Sequence, residues 1–403
     1  MNSKDIFKML ICMYTNKYIN REGVILKDVE LLFSRNPLRD TVKLRYISGY
    51  FTFEQTTPNF DEKSISKLIS FVEYLEATFP NQKLPIRIDL KNSKITDKLT
   101  FVFLECICYY MINVNHYRVL IKYHHNHAIH IDGMNSSPLL LLSRDKAENQ
   151  EKYIQKFSFD IYNNHFRRVF LAEQMGANDI LCKTLDDISN FQKIFKVESE
   201  YREIISEVLV ELIGNAGEHG ESDCLIDFDI APHYYKTGFN EQYIGVNIAI
   251  INFSQLLLST SLREKIIGSS NLDNRYEQVS NAYSYHKSFF ASDYTEEDFF
   301  NVVAFQHKIS GRLDNSTTGG TGLTKLIYSL EKKSDAHMCY VVSGLRKLIF
   351  SQEYLSYNEN GWLGFNKSNN FLTDIPDRTL FRQNGFYLPG NAYNLNFVLK
   401  VEA

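Results

Sequence analysis

The chain has 403 residues, of which 44% are hydrophobic and 23% charged, a composition that reads as globular, with apolar mass enough for two or three domains. Its formal net charge of -4 and pI near 6.3 give no global basic field, so nucleic acid is not indicated as a partner. No window approaches the roughly 18 uninterrupted apolar residues of a membrane span. The N-terminal MNSKDIFKMLICMYTNKY also lacks the long apolar core and small-residue cleavage site of a secretory signal. A cytoplasmic protein with no membrane partner is expected. The six cysteines are scattered, with one C-x-C pair at Cys106 and Cys108, and read as reduced core residues rather than zinc ligands or disulfides.

Residues 1 to about 45 carry helical patterning through Ile6, Met9 and Leu10 and then Val29, Leu31 and Leu32. An extended stretch, Lys43–Thr52, precedes a helix over Asp61–Phe79 that Pro80 stops. Next come a strand at Ile86–Leu90, a polar turn, a helix at Lys98–Asn113 and a strand at Arg118–Tyr123, which make a βαβ unit. This strand, short loop and helix are similar to the core of a STAS domain, the α/β module of anti-sigma-factor antagonists. Ser93 and Thr96 lie near where that family carries its phosphorylated hydroxyl, although its aspartate-serine pair is replaced here by Ile95-Thr96-Asp97. The same pattern fits an ordinary βαβ scaffold.

The cluster His124, His125, His127 and His130 follows the second strand and lies beside Gly133, Asn135 and Pro138, so it reads as a polar loop rather than a metal site. The charged segment Ser143–Lys152 marks a domain boundary, and residues 151–195 read as a helical connector through Phe166, Val169, Phe170 and then Ile188, Phe191, Ile194. His165 lacks the acidic residue that follows a phosphoaccepting histidine, so an autophosphorylating histidine kinase is not expected.

The stretch Ser206–Gly220, SEVLVELIGNAGEHG, sets Glu211, Asn215 and His219 at four-residue steps along one stripe of a helix. Ile205, Val208, Leu209, Leu212, Ile213 and Ala216 supply the apolar stripe beside it. A strand at Cys224–Ile230 follows, then a nearly continuous apolar run, Tyr243–Ile251, ending at Asn252-Phe253-Ser254. Residues 255–315 are polar and rich in Tyr and Asn, with helical stretches near Leu256–Ile267 and Glu296–Ile309. They lead into TTGGTGL, where Gly319, Gly320 and Gly322 expose successive amides before a helix starting near Leu323, an arrangement suited to polyphosphate. A hairpin around Gly344-Leu345 and a strand closed by the Pro389-Gly390 turn complete the chain.

The E-x-x-x-N helix, the glycine-rich loop and the order of elements between them resemble the GHKL superfamily of gyrase, heat-shock chaperone ATPases, histidine kinases, mismatch-repair ATPases and anti-sigma kinases. The resemblance covers roughly residues 195–403, and where the superfamily has aspartate-x-glycine this chain has Asn252-Phe253-Ser254. It implies an α/β sandwich at 196–403, a mixed sheet with helices on one face and a lid at about 255–318, preceded by a smaller α/β domain at 1–150. It also implies ATP and Mg²⁺ as cofactors. Asn215 would then be the metal ligand and Glu211 the general base, the alternative for Glu211 being a surface carboxylate. Asn252 keeps an acceptor for adenine. Arg312, Thr317, Thr318, Gly319, Gly320, Thr321 and Gly322 are the candidate phosphate contacts, and Lys325 reads as a solvated helix residue. His219 would touch phosphate or lid, or cap the helix end. The implied activity is a Mg²⁺-dependent ATPase acting as a switch for self-association or for a protein partner. A regulatory serine/threonine kinase-like or silent nucleotide-binding module in a partner-switching system is the alternative.

Overall fold

The computed structural model describes residues 26–34, 42–123, 137–175, 178–235, 242–268, 272–309, 322–333 and 339–400. The histidine cluster His124–His130 and the helical patterning of residues 1–25 lie outside them. Strands β1 (Tyr46–Ile47) and β2 (Tyr50–Glu54) form a hairpin whose turn, Ser48-Gly49, takes positive φ at both positions. A short strand, β3 (Asn59–Phe60), leads to α1 (Glu62–Thr78), capped by the Asp61 carboxylate, which accepts from the amides of Lys63 and Ser64 at 3.1 and 3.0 Å. The chain then makes β4 (Pro85–Asp89), the short β5 (Lys94–Ile95), α2 (Lys98–Asn113) and β6 (Arg118–Lys122). Strands β2, β4 and β6 run parallel, so the βαβ unit expected from the sequence is present.

Beyond it lie α3 (Ala147–Ser158), β7 (Phe159–Tyr162), β8 (His165–Phe170), α4 (Asn178–Ile194), α5 (Ser199–Gly220), β9 (Cys224–Tyr235) and β10 (Gln242–Phe253). Helices α6 (Thr260–Gly268), α7 (Asn274–His286), α8 (Glu296–Val303) and α9 (Gly322–Lys333) precede β11 (Tyr340–Ile349) and β12 (Phe381–Lys400). Six strands pair in the order β11-β12-β10-β9-β8-β7, every pair antiparallel. The sheet expected to be mixed is therefore antiparallel, and the mixed sheet is the small one, β1-β2-β4-β6.

The segment read as a helical connector supplies two strands of the larger sheet. Phe166 and Phe170 share one face of β8 with the apolar core, while His165, Arg167 and Val169 alternate to the other, which is the two-residue period of a strand. The charged segment read as a boundary runs into α3, whose Gln150 side chain accepts from the Val119 amide and donates to its carbonyl, at 3.2 and 2.9 Å, closing the edge of β6.

The closing hairpin and turn also differ from expectation. β11 continues through Gly344, which at φ 56° absorbs a shift of register. β12 continues through Pro389-Gly390, where Gly390 has φ 99° and a Cβ would lie 2.2 Å from the Asn252 carbonyl oxygen. In both places glycine permits a bulge within a long strand.

The elements stack in four layers. Ile226, Phe228, Val246, Ile248, Leu395 and Phe397 pack toward α4, α5 and α9. Leu225, Ile251 and Ala392 pack toward α1 and α2, which also cover Ile86, Ile88, Val119 and Ile121 of the smaller sheet. Helix α2 is buried from Lys98 to Met111 because a sheet lies on each side of it. Both faces of the larger sheet are thus covered, not one. Each fully buried Ile or Phe contributes roughly 1.5–3 kcal/mol, so the two halves are held by a common core. Helices α6, α7 and α8 pack on the loop before β12 through Tyr294, Phe299, Trp362 and Phe371, and buried His286 joins Tyr294 Oη at 2.7 Å to the Phe371 carbonyl at 2.9 Å. The described part of the expected lid is thus a folded helical insertion. No helix among the described residues is long and apolar enough to cross a membrane.

Candidate functional site

Helix α5 carries its apolar stripe, Ile205 to Ala216, into the core between sheet and helices. Glu207 and Glu211 are exposed and Asn215 is half-buried, so the polar stripe borders the core as its spacing predicts. Gly217 lets a neighbour approach, because a Cβ there would lie 2.8 Å from Met175. The helix runs through Gly220 and ends at Glu221, which takes the left-handed conformation at φ 46°. The side chain of His219 lies outside the described residues.

The end of α5 is stitched to the end of β10. Asn252 Nδ2 donates to Ser222 Oγ at 3.0 Å, and Ser254 Oγ donates to the Gly220 carbonyl at 2.6 Å while accepting from the Leu256 amide at 3.0 Å. A Cβ at Gly220 would lie 2.9 Å from both Asn252 Nδ2 and Ser222 Oγ, so a larger residue there would displace this hydrogen-bonded pair. Asn252 is buried, and with its amide nitrogen committed, its oxygen remains as an acceptor. Its cross-strand neighbour is Asn391, which in turn pairs with Ser343 on β11. Asn391 Oδ1 is buried without a hydrogen-bond partner. Neither Asn391 nor Ser222 was singled out from the sequence; the only signal was an asparagine interrupting an apolar strand.

Helix α9 packs along α5. Lys325, in its first turn, pairs with Glu207 at 2.9 Å, and Glu207, Glu211 and Asn215 follow one another at four-residue steps. The first turn of α9 therefore meets α5 at Glu207, the N-terminal end of its polar stripe. Lys325, expected to be simply solvated, is exposed but ion-paired. Arg312, Thr317, Thr318, Gly319, Gly320 and Thr321 lie outside the described residues.

A second polar cluster, not anticipated from the sequence, is sealed between α2 and strands β8 and β9. The ligating atoms of His165, Asp227 and Asp229 lie within 4.8 Å of one another, the arrangement of a metal site. Lys98 Nζ from α2 already sits between the two aspartates. Arg167 bridges Asp227 and Glu105, Glu105 accepts from Ser137 Oγ, and Asn394 Oδ1 accepts from the Leu99 amide at 3.0 Å. Burial alone would lower the His165 pKa, but Asp227 and Asp229 outweigh it and lift it to about 9. Burial would raise Asp227, yet Arg167, Lys98 and His165 hold it well below the usual carboxylate range. Lysine, arginine and imidazolium thus supply the positive charge a metal would bring, and the cluster is an internal joint. Its sequence signal was D-x-D in β9 and H-x-R in β8, charges on a strand face that had to be buried.

The fold and these sites define a mixed α/β protein. Comparison with family models, with curated proteins and with solved structures gives no match for this chain.

Proposed function

We propose that residues 196–403 bind Mg²⁺-ATP in the manner of the GHKL superfamily that the sequence resembles, and hydrolyse it as a switch governing self-association or a protein partner. The observation that supports this reading is the Lys325–Glu207 pair, which sets the first turn of α9 against the helix that carries Glu211 and Asn215. A polyphosphate held at the start of α9 meets a positive helix end, and a cation it carries meets the hard amide oxygen of half-buried Asn215. The elements also follow in the expected order: helix, two strands, an insertion, a helix and two closing strands. Asn252 and Asn391, side by side at the end of the sheet, offer acceptors to the amino group of a base.

Exposed Glu211 can reach a water and act as the base. Phosphate release by the wild type that Glu211→Ala abolishes, with nucleotide still bound, supports hydrolysis; equal rates in both sink that role. A second reading, regulatory phosphoryl transfer or silent binding, is favoured by the bond of Asn252 to Ser222, which leaves the base a neutral acceptor in place of a carboxylate. Ser93 is buried and donates to the Leu90 carbonyl at 2.6 Å, so exposed Thr96 is the hydroxyl open to transfer in that case. Labelled phosphate on Thr96 after incubation with ATP would favour transfer over hydrolysis.

A further inference from the structure

Among the described residues, the outer face of the four-stranded sheet carries a cation with no ion-pair or hydrogen-bond partner. Arg87 lies at the middle of β4, cross-strand from Thr52 and Leu120. Its neighbours Ile86 and Ile88 enter the core, so alternation sends Arg87 to the face away from α1 and α2. It is only 7% exposed, and its Nε is sealed with no hydrogen-bond partner.

The acids of this face are otherwise engaged. Asp145 pairs with Arg118 at 3.2 Å and accepts from Tyr50 Oη. Glu54 pairs with Arg45 at 2.7 Å, and Asp89 accepts from the Lys91 amide at 3.1 Å. Among the described residues no carboxylate lies within ion-pair distance of Arg87. Instead, the guanidinium groups of Arg87 and Arg118 flank the Tyr50 ring, 6.0 and 5.8 Å from its centroid. Asp145 answers Arg118 alone, so among the described residues Arg87 is the guanidinium of this corner left without a carboxylate.

A buried charge without a counter-ion is costly, and an arginine fork is shaped to receive two oxygens of one anion. We propose that Arg87, with Arg118 and Tyr50 beside it, binds a small oxyanion, the phosphate or carboxylate group of a ligand, on this outer face. Helices α1 and α2 and the six-stranded sheet separate the site from α5, so it is independent of the nucleotide reading.

Thermal unfolding of the full chain tests this, with inorganic phosphate and acetate titrated separately at constant ionic strength made up with chloride. The wild type should show a saturable rise in Tm with phosphate, or with acetate if a carboxylate is the true group. Arg87→Met should lose that rise and, in anion-free buffer, melt above the wild type, because it no longer buries an uncompensated charge. Arg118→Gln, at an exposed position, should shift the anion midpoint several-fold upward and gives a second, independent readout. The proposal is overturned by a wild type that responds to neither anion or by an Arg87→Met protein that melts below the wild type in anion-free buffer. It is equally overturned by a rise that persists in Arg87→Met and vanishes in Asn215→Ala, which would place the phosphate at the nucleotide site.

Discussion

The two polar clusters of this molecule are built on opposite terms. Between α2 and β8–β9 the charges of Lys98, Glu105, His165, Arg167, Asp227 and Asp229 are all buried and mutually paired. Along α5 the polar groups stay at the surface or half-buried, and the row at the end of the sheet keeps an acceptor, Asn391 Oδ1, without a donor. The first cluster balances its own charges and locks layers together, which leaves no charge capacity for a ligand even though Arg167 Nη1 and His165 Nδ1 are buried there without a hydrogen-bond partner. An unsaturated border beside a helix start has that capacity.

Breaking the buried, charge-paired cluster should have the largest effect. Lys98→Met leaves two buried aspartates short of a cation and should cost about 3–5 kcal/mol in chemical denaturation; a loss below about 1 kcal/mol would mean that water reaches the joint. The cluster also predicts a pH dependence. His165 is lifted to about 9 when folded, above its unfolded value of about 6.5. Its contribution is therefore complete below about pH 6.5 and lost as pH rises toward 9, with a ceiling of about 3 kcal/mol. His165→Gln should flatten that part of the stability profile, and an unchanged slope would assign it to other groups.

Gly390→Ala tests the bulge at the end of the sheet where Asn252 and Asn391 lie side by side. With φ 99° and the Asn252 carbonyl 2.2 Å from the new Cβ, it should cost roughly 1–3 kcal/mol; a neutral result would show that β12 relaxes there. Lys325→Ala removes a pair exposed on both sides and should change stability by no more than about 1 kcal/mol. Its use is as a control that separates contact at the candidate site from stability.

Much of this architecture was legible because periodicity reports burial. Helices α1 and α2, the parallel pair β4 and β6, the apolar run of β10 and the start of α9 all carry an unambiguous period or cap. The errors fall where two environments meet. HFRRVF reads as helical because its arginine and histidine face a buried acid partner and so break the apolar alternation. Gly344 and Pro389-Gly390 read as turns because a bulge and a turn demand the same positive φ. The polar stripe of α5 was visible as spacing, whereas Asn391 and the joint depend on strand register, which only the paired sheet reveals.

The most direct test of the central claim is a calorimetric titration of Mg²⁺-ATP into the wild-type chain and Asn215→Ala. The account predicts saturable binding by the wild type that weakens without Mg²⁺ and falls at least about tenfold, or roughly 1.4 kcal/mol, in Asn215→Ala. No binding by the wild type, or equal binding by both proteins, would contradict it.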